Sequence, residues 1–343
     1  KSKIKGEECK VSGKRWLALG IAGLLFFVSI ITSFATSKSE GLSNALATDL
    51  FNTEEVFMEK VLESGNSNRK VLVMELNGVI QDTGESLFMT SGYQHRKFLK
   101  MLDQAKEDDG VKGIILKVNT PGGGVYESAE IHRKLVEIKE KTDKPIYISM
   151  GSMAASGGYY ISAPADKIFA TPETLTGSIG VIMQGINFGE LAERYGVKFE
   201  TIKSGEYKDI LSQTRDMTES ERNILQDMVD SMYSRFVDVI VDGRNMSEAE
   251  VRQIADGRIY DGVQAKDINL VDELGYYDDV LDAMKEDYKL GNVQVVQYQE
   301  NVGLGSLFLM RTSSLFQQNA EMQLLSTLFS QPNAPRLMYL YAE

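Results

Sequence analysis

The stretch PIYISMGSMAASGGYY, residues 145–160, joins a strand pattern to a small-residue turn and the beginning of a helix. Its first six residues are rich in aromatic and β-branched side chains, which is typical of a buried strand. Ser156 stands directly before the helical part, where N–H groups and the helix dipole stabilise negative charge. A serine here also suits a helix cap, and Ser152 is a second hydroxyl nearby. The local pattern therefore leaves Ser156 open as a nucleophile or as a cap.

Strand-like runs of the same kind recur on both sides of this stretch. Helical patterns separate several of them, at residues 94–107, 125–142 and 188–195, and a long helix is predicted from Glu219. Strands that alternate with helices across Gly- or Pro-containing turns predict an α/β domain with largely parallel strands. The other predicted strands are VLVMELNGVI (71–80), KGIILKVN (112–119), KIFA (167–170), IGVIM (179–183) and VKFETIK (197–203).

Composition describes a folded protein with an unevenly distributed charge. The chain has 343 residues, of which 43% are hydrophobic and 25% charged, enough for one large domain or two small ones. Residues 1–15 carry six basic and two acidic side chains, a charge of +4. Because the whole chain has a net charge of −12, the remaining residues carry −16. An acidic body repels phosphate backbones, and nucleic acid is therefore not expected as a partner.

Residues 16–36 contain no charged side chain and are long enough to cross a bilayer as a helix of about 20 residues. Lys14 and Arg15 precede them, so the positive-inside rule predicts a cytoplasmic N-terminus and a body on the other side. A cleaved signal peptide is the alternative, because Ser33 and Ala35 form a small-x-small site. The pattern favours a single-pass membrane anchor.

The rest of the chain divides by composition into further segments. A weak helical pattern over residues 49–64 predicts a short helix before the core begins near Val71. After residue 300 the chain has few charges, and this tail could be a packing helix, a partner surface or a flexible extension. Its apolar end PRLMYLYAE suggests the hypothesis that the tail enters the substrate groove and is trimmed. The predicted segments are a basic head (1–15), the anchor (16–36), a stalk with a short helix (37–70), a catalytic domain (71–300) and the tail (301–343).

The residue types present exclude several kinds of catalysis. The only cysteine, Cys9, precedes the predicted anchor, so the body has neither a thiol nucleophile nor a disulfide. The two histidines, His95 and His132, lie in charged HRK segments that are predicted to be exposed helix faces, which disfavours a Ser-His-Asp triad. Neither an HExxH motif nor clustered carboxylate spacing predicts a metal site.

Lysine is the remaining candidate for a general base. A lysine with the ordinary pKa of about 10.4 is neutral in only about one molecule per 2,500 at pH 7, so burial has to lower that pKa. Lys208 is a candidate because SGEYKDI (204–210) follows a predicted strand, contains a glycine that permits a turn and ends in an apolar residue.

Two further Gly-rich turns follow predicted strands, NTPGGG (119–124) and TGSIG (176–180). Such turns leave backbone N–H groups free to bind an oxyanion or a phosphate, although NTPGGG could simply be a tight turn into the next helix. NTPGGG matches neither GxxxxGK[ST] nor GxGxxG, so nucleotide binding is poorly supported.

These motifs, taken in order over most of residues 71–300, resemble the short, Gram-positive form of signal peptide peptidase A. That family is a serine peptidase family of the ClpP/crotonase fold, which implies a repeated β-β-α core. One position departs from the pattern, because Asn269 stands where the family usually has glycine before LVD; asparagine tolerates the left-handed region, so we expect the turn to survive. The matching stretches are NTPGGG, GSMAASGGYYI, TGSIGV, SGEYKD and GRIYDG followed by LVD.

The resemblance implies a role for five residues. Ser156 would be the nucleophile, Lys208 the general base, and Ser178 a hydroxyl that orients the lysine amine. Backbone N–H groups of Gly123 and Gly157 would form the oxyanion hole.

The resemblance also implies a function, namely a membrane-anchored Ser/Lys-dyad endopeptidase that hydrolyses remnant signal peptides through an acyl-enzyme. It implies no metal or cofactor, a homo-oligomer reported as an octamer, and a location in the bacterial cell membrane with the catalytic domain outside the cytoplasm. Two alternatives remain from the sequence: a catalytically inactive scaffold or binding protein of the same fold, and a crotonase-type acyl-CoA enzyme.

Overall fold

The chain divides into two compact units, residues 1–55 with 301–318 and residues 56–300 with 319–343. In the first unit the described residues are helical and exposed. No helix in the described part of the chain is long and apolar enough to cross a membrane, and most of the predicted anchor (16–36) lies outside that part. The computed structural model describes residues 20–21, 24–26, 57–84, 92–299 and 337–341.

A largely parallel sheet of nine strands, counted over the described residues, is the centre of the second unit. The sheet order is β1-β10-β2-β3-β5-β6-β9, and β7 pairs with both β5 and β8. Only the β1–β10 and β7–β8 pairings in this described sheet are antiparallel. Its strands are β1 (Met58–Glu63), β2 (Asn66–Asn77), β3 (Val111–Thr120), β5 (Ile146–Ala155), β6 (Lys167–Ala170), β7 (Leu175–Gly177), β8 (Ile259–Tyr260), β9 (Glu273–Leu274) and β10 (Val293–Gln299).

A second, two-stranded sheet pairs β4 (Gly122–Gly124) with β11 (Met338–Leu340). The described residues of the second unit also form one 3-10 turn (Glu206–Asp209) and eight helices. They are α1 (His95–Glu107), α2 (Val125–Lys141), α3 (Gly157–Ser162), α4 (Gly189–Arg194), α5 (Glu219–Arg244), α6 (Glu248–Ile254), α7 (Gly262–Asp267) and α8 (Tyr277–Asp287).

Alternate residues of the central strands pack on opposite faces of the sheet. Leu72 and Met74 of β2 belong to the larger core, which includes side chains of α1, α2, α3 and α5. Val71 and Val73 belong to a smaller core covered by α8. Because both faces are buried, β2 reads as a nearly continuous apolar run, as strands of parallel sheets do. The predicted α/β architecture with largely parallel strands is confirmed.

Several local predictions are confirmed and others are wrong. α5 begins at Glu219 as predicted, after the Thr218 cap. Residues 58–63 form an edge strand against β10 where the weak helical pattern predicted a helix, because sheet pairing outweighs a weak local preference. Residues 197–203 form no strand and are exposed, and residues 179–183 contribute one bridge, from Ile182 to Met338. Asn269 does adopt the left-handed region, with φ of 62°.

Residues 184–217, which we call the exposed arm, connect β7 to α5 and carry α4 and the 3-10 turn. Many of the arm's large apolar side chains face solvent, which is unusual for a folded monomer because contiguous apolar patches mark interaction surfaces. The exposed side chains are Ile186, Phe188, Leu191, Tyr195, Val197, Phe199, Ile202 and Tyr207.

Candidate active site

Ser156 lies in a strained turn between β5 and α3. Its φ of 52° and ψ of −113° are disfavoured for a residue with a side chain, and such strain persists only where the surrounding structure enforces it. The residue is 1% exposed, and its hydroxyl makes no capping hydrogen bond and has no other partner among the described residues. Leaving a buried hydroxyl unpaired costs about 1–3 kcal/mol, so a helix-cap role does not explain this serine.

The rival hydroxyl, Ser152, has a different environment. It lies within β5, is exposed, and donates a hydrogen bond to Asn119 Oδ1 at 3.0 Å. Because Ser152 lies within a strand, no helix N-terminus is next to its hydroxyl to stabilise negative charge.

Sheet pairing brings Ser178 beside Ser156. Ala155 of β5 pairs with Gly177 of β7, and the Ser156 N–H donates to the Gly177 carbonyl at 2.8 Å. Ser178 is buried, has a φ of 49°, and its N–H donates to the Arg258 carbonyl at 2.7 Å. The two serines therefore leave neighbouring parallel strands at the same end, where α/β folds usually build sites.

The backbone amides of Gly123 and Gly157 lie side by side next to Ser156. A Cβ built on Gly157 would stand 3.1 Å from the Gly123 nitrogen, and one built on Gly122 would stand 2.7 Å from the Gly157 nitrogen. Gly122 has a φ of 103° and its N–H bonds to Thr120 Oγ1 at 3.0 Å, which shapes the turn. Any side chain here would fill the space between the two amides, so glycine keeps it open.

The C-terminal strand β11 lies in this space as an extended peptide. It pairs antiparallel with β4, with Tyr339 opposite Gly123. On its other side, Met338 and Ile182 exchange two backbone hydrogen bonds of 3.0 and 3.1 Å. The Tyr339 carbonyl oxygen stands 2.0 Å and 3.1 Å from the Cβ positions built on Gly122 and Gly157, so this carbonyl lies against the two amides.

An aromatic pocket holds the Tyr339 side chain. The ring stacks on Tyr160 at a centroid distance of 4.9 Å and packs against Phe236 at 4.7 Å. The phenol donates to the Met232 carbonyl of α5 at 3.0 Å. The side chain is almost fully buried, so the groove accepts a large apolar residue immediately before the carbonyl at the amides.

Neither histidine is bonded to Ser156, but the prediction that both are exposed is wrong. His95 is buried between the Tyr93 hydroxyl at 2.6 Å and the Glu130 carboxylate at 2.9 Å. His132 is half-buried against the Tyr160 ring at 5.2 Å, and burial lowers its pKa to about 4. The charged HRK pattern misled because a helix can turn one residue of a polar triplet inward.

Ser128 is a site residue that sequence reasoning missed. Its hydroxyl is fully buried, has no hydrogen-bond partner in the described part of the chain, and lies 2.7 Å from a Cβ built on Gly157. A usable signal was present, because Ser128 shares a helix face with the buried Ile131 and Leu135. A polar residue on an apolar face directly after a glycine turn marks a position worth testing.

Lys208 is not brought to Ser156 within this chain. It lies in the 3-10 turn of the exposed arm, its side chain is exposed, and within the described residues its amine makes no hydrogen bond or ion pair. The expectation that Lys208 is buried beside Ser156 is therefore not met within one copy of the chain. Sequence proximity to a glycine turn could not have predicted this, because burial depends on what packs against the arm.

A cavity of about 530 Å³ opens beside Ser178 and beyond Tyr339 in the groove. Apolar side chains and two carboxylates line it. The lining includes Ile179, Ile182, Tyr233, Asp230, Asp256 and the strand residue Leu340. Ser178, whose strand pairs with the strand of Ser156, therefore borders open space.

Comparison with known proteins agrees with this geometry. The model of peptidase family S49 matches residues 138–291, which include Ser156, Ser178 and Lys208. A protein of Enterococcus faecium named "Putative signal peptide peptidase SppA" is 47% identical over 302 residues, covering 86% of this chain and 88% of that protein. The chain belongs to peptidase family S49. It is accordingly a serine peptidase.

Two other relatives of this S49 peptidase are more distant. Protease 4 of Haemophilus influenzae is 31% identical, over 82% of this chain and 45% of its own length. A chloroplastic serine protease SPPA of Arabidopsis thaliana is 31% identical, over 52% of this chain and 26% of its own length. The resemblance to signal peptide peptidase A that the motifs indicated is confirmed.

Proposed function

We propose that this S49 peptidase is a membrane-anchored endopeptidase that hydrolyses remnant signal peptides with Ser156 as nucleophile and Lys208 as general base. One observation carries the proposal: the unpaired, buried Ser156 hydroxyl stands beside two convergent amides in a groove that already holds an extended peptide. Strand pairing on both sides of that peptide binds backbone groups and therefore tolerates many sequences.

The chemistry is acyl transfer. Neutral Lys208 takes the proton of Ser156 Oγ, and the oxygen attacks the substrate carbonyl to form a C–O bond. The N–H groups of Gly123 and Gly157 stabilise the oxyanion, and Ser178 orients the lysine amine. The protonated lysine then donates to the departing amine as the C–N bond breaks. Water, deprotonated by the same lysine, then attacks the ester carbonyl, and the C–O bond to Ser156 breaks as the lysine returns the proton to Oγ. This sequence of steps needs no cofactor.

The groove supports an apolar substrate. Tyr339 occupies the pocket of Tyr160 and Phe236, where an aromatic or aliphatic side chain gains about 1.5–3 kcal/mol by burial. The hydrophobic segment of a signal peptide offers such side chains at many positions. The name of the Enterococcus faecium relative supports the same substrate class.

A second copy of the chain supplies Lys208 in this proposal. The amine is exposed in one copy, the exposed arm carries unpaired apolar side chains, and a cavity lies open beside Ser178. Docking the arm of one copy onto its neighbour would bury those side chains and desolvate the lysine, which favours its neutral form. In a closed homo-oligomer with head-to-tail contacts, every copy receives a Lys208 from one neighbour and gives its own to the other. The resemblance implies an octamer.

The membrane part of the proposal rests on sequence. Residues 16–36 are long and apolar enough for one span, and the preceding Lys14 and Arg15 favour a cytoplasmic N-terminus. The catalytic domain, with the repeated β-β-α core of the ClpP/crotonase fold, would then face the outside of the bacterial cell membrane. Such an anchor keeps the groove near the bilayer in which signal-peptide remnants remain.

Hydrolysis of a signal-peptide-like substrate by the full chain in detergent tests the function. Ser156→Ala and Lys208→Ala should each lower kcat by about 10³-fold or more, because nucleophile and base act as one unit. Ser152→Ala is the matched control and should keep wild-type turnover. Retained activity in Ser156→Ala together with loss in Ser152→Ala would show that the nucleophile is misassigned.

A further inference from the structure

Arg215 binds the turn that carries Lys208 to the beginning of α5. Its Nε and Nη2 donate to the two oxygens of the Asp209 carboxylate at 2.8 and 2.7 Å, and Nη2 also reaches the Asp209 carbonyl at 3.2 Å. Its Nη1 donates to Glu221 Oε2 at 2.9 Å. One guanidinium thus bridges two carboxylates, and the planar fork of arginine is suited to this in a way that lysine is not.

The far end of the bridge is rigid. Glu221 is 2% exposed and lies in the first turn of α5, where it accepts the Thr218 N–H at 2.9 Å in a capping box. The hydrogen bond from Arg215, followed by that from Thr218, lowers the pKa of Glu221 to about 2. Glu221 is therefore ionised and held in place. Through its hydrogen bonds to both carboxylates, Arg215 holds the turn at Glu206–Asp209 against this end of α5.

The near end of the bridge is the carboxylate of Asp209, whose negative charge is paired with two cations. Asp209 is the residue directly after Lys208, and its carboxylate also receives Lys203 Nζ at 2.6 Å. Arg215 first and Lys203 second hold the pKa of Asp209 well below its usual range, so it is anionic at every working pH. The other charged groups of the turn region are Glu206, whose carbonyl accepts from Lys203, and Asp216, which is held by Asn187.

A carboxylate next to a general-base lysine has a predictable cost. A neighbouring negative charge that is not compensated favours the ammonium form of a lysine, which cannot accept a proton. Arg215 and Lys203 cancel that charge. We propose that Arg215 is a positioning residue for catalysis: it fixes the Lys208 turn against α5 and offsets the charge of Asp209, so that Lys208 is presented to its serine in one position. The inference rests on the proposed role of Lys208.

The test compares Arg215→Gln, Asp209→Asn and the double variant by the pH dependence of kcat/KM in the assembled full chain. Arg215→Gln should move the acid limb to higher pH by about 0.5–1 unit, because it removes one of the two cations that offset Asp209 and leaves Lys203 as the other. On that limb a full unit is a tenfold loss of kcat/KM. Asp209→Asn should move the limb to lower pH, and the double variant should return it close to wild type with a lower kcat. Arg215→Lys should keep the acid limb at its wild-type pH, because the positive charge remains, but should have a lower kcat, because lysine cannot bridge both carboxylates as arginine does.

Arg252→Gln is the matched control, because it removes an arginine from an exposed ion pair with Glu248 on α6. It should leave the profile unchanged. Light scattering of each variant establishes that the oligomer is intact. A wild-type profile in assembled Arg215→Gln and in Asp209→Asn would overturn the inference, as would equal shifts in the single and double variants. If Arg215→Gln does not assemble, Asp209→Asn alone decides by the direction of its shift. Full activity of Lys208→Ala would instead overturn the proposed function.

Discussion

At the scale of single residues, the site depends on groups held in unfavourable states. Ser156 and Ser178 both have positive φ values, and the hydroxyls of Ser156 and Ser128 are buried without partners in the described part of the structure. Each such state costs on the order of 1–3 kcal/mol, which packed strands and helices on either side offset. This concentration of unfavourable states around Gly157 is typical of a site shaped for reaction.

His132 gives a prediction about pH. Burial lowers its pKa to about 4 from an ordinary 6.5, so the folded state favours the neutral ring. As pH falls from 6.5 to 4, the unfolded chain takes up a proton that the folded chain resists, and up to about 3 kcal/mol of stability is lost. Above pH 6.5 this contribution is constant.

The measurement is urea unfolding of the full chain at pH 7 and pH 4.5. His132→Phe keeps an aromatic ring against Tyr160 and removes the titration, so the variant should lose less free energy of unfolding than wild type between the two pH values. An identical loss in both proteins would show that His132 titrates normally.

At the scale of elements, β11 is the informative strand. From the sequence, the tail (301–343) could be a packing helix, a partner surface or a flexible extension. Of this tail, the structure describes residues 337–341. That end pairs with β4 and Ile182, because a groove with free backbone groups on both sides binds any extended segment that reaches it.

The position of β11 predicts where the chain trims itself. The Tyr339 carbonyl lies at the two amides, so the bond between Tyr339 and Leu340 is the one presented to Ser156. We expect intact-mass analysis of active enzyme to show loss of the last four residues, and Ser156→Ala to keep them. Tyr339→Asp, which places a charge in the aromatic pocket, should keep its tail although the enzyme remains active. A full-length tail in active enzyme and in Ser156→Ala alike counts against trimming.

At the scale of the whole molecule, one copy keeps Ser156 and Lys208, the two residues of the proposed dyad, apart. Ser156 lies in the sheet-based core of the chain, whereas Lys208 lies on the exposed arm. If Lys208 is the base, as proposed, a second copy has to bring it to Ser156, and assembly is then a condition for activity.

Mixing two inactive variants tests this arrangement. If each site takes Ser156 from one copy and Lys208 from its neighbour, co-assembled Ser156→Ala and Lys208→Ala should regain about a quarter of the wild-type activity at a 1:1 ratio. Each variant alone, and a mixture of separately pre-assembled oligomers, should remain inactive. No recovery in co-assembled oligomers of normal size would place both residues in one copy.

Local sequence determined the α/β alternation, the Ser156 turn and the α5 boundary, because strand patterns, glycine turns and capping boxes act over a few neighbouring residues. Tertiary structure decided what those patterns cannot encode: that the Ser156 hydroxyl caps nothing, that Ser128 is buried beside Gly157, that residues 197–203 find no strand partner, and that residues 338–340 lie across the amides. It also decided that Lys208 is exposed. Burial and pairing depend on residues far away in the chain, so physics at short range could not determine them.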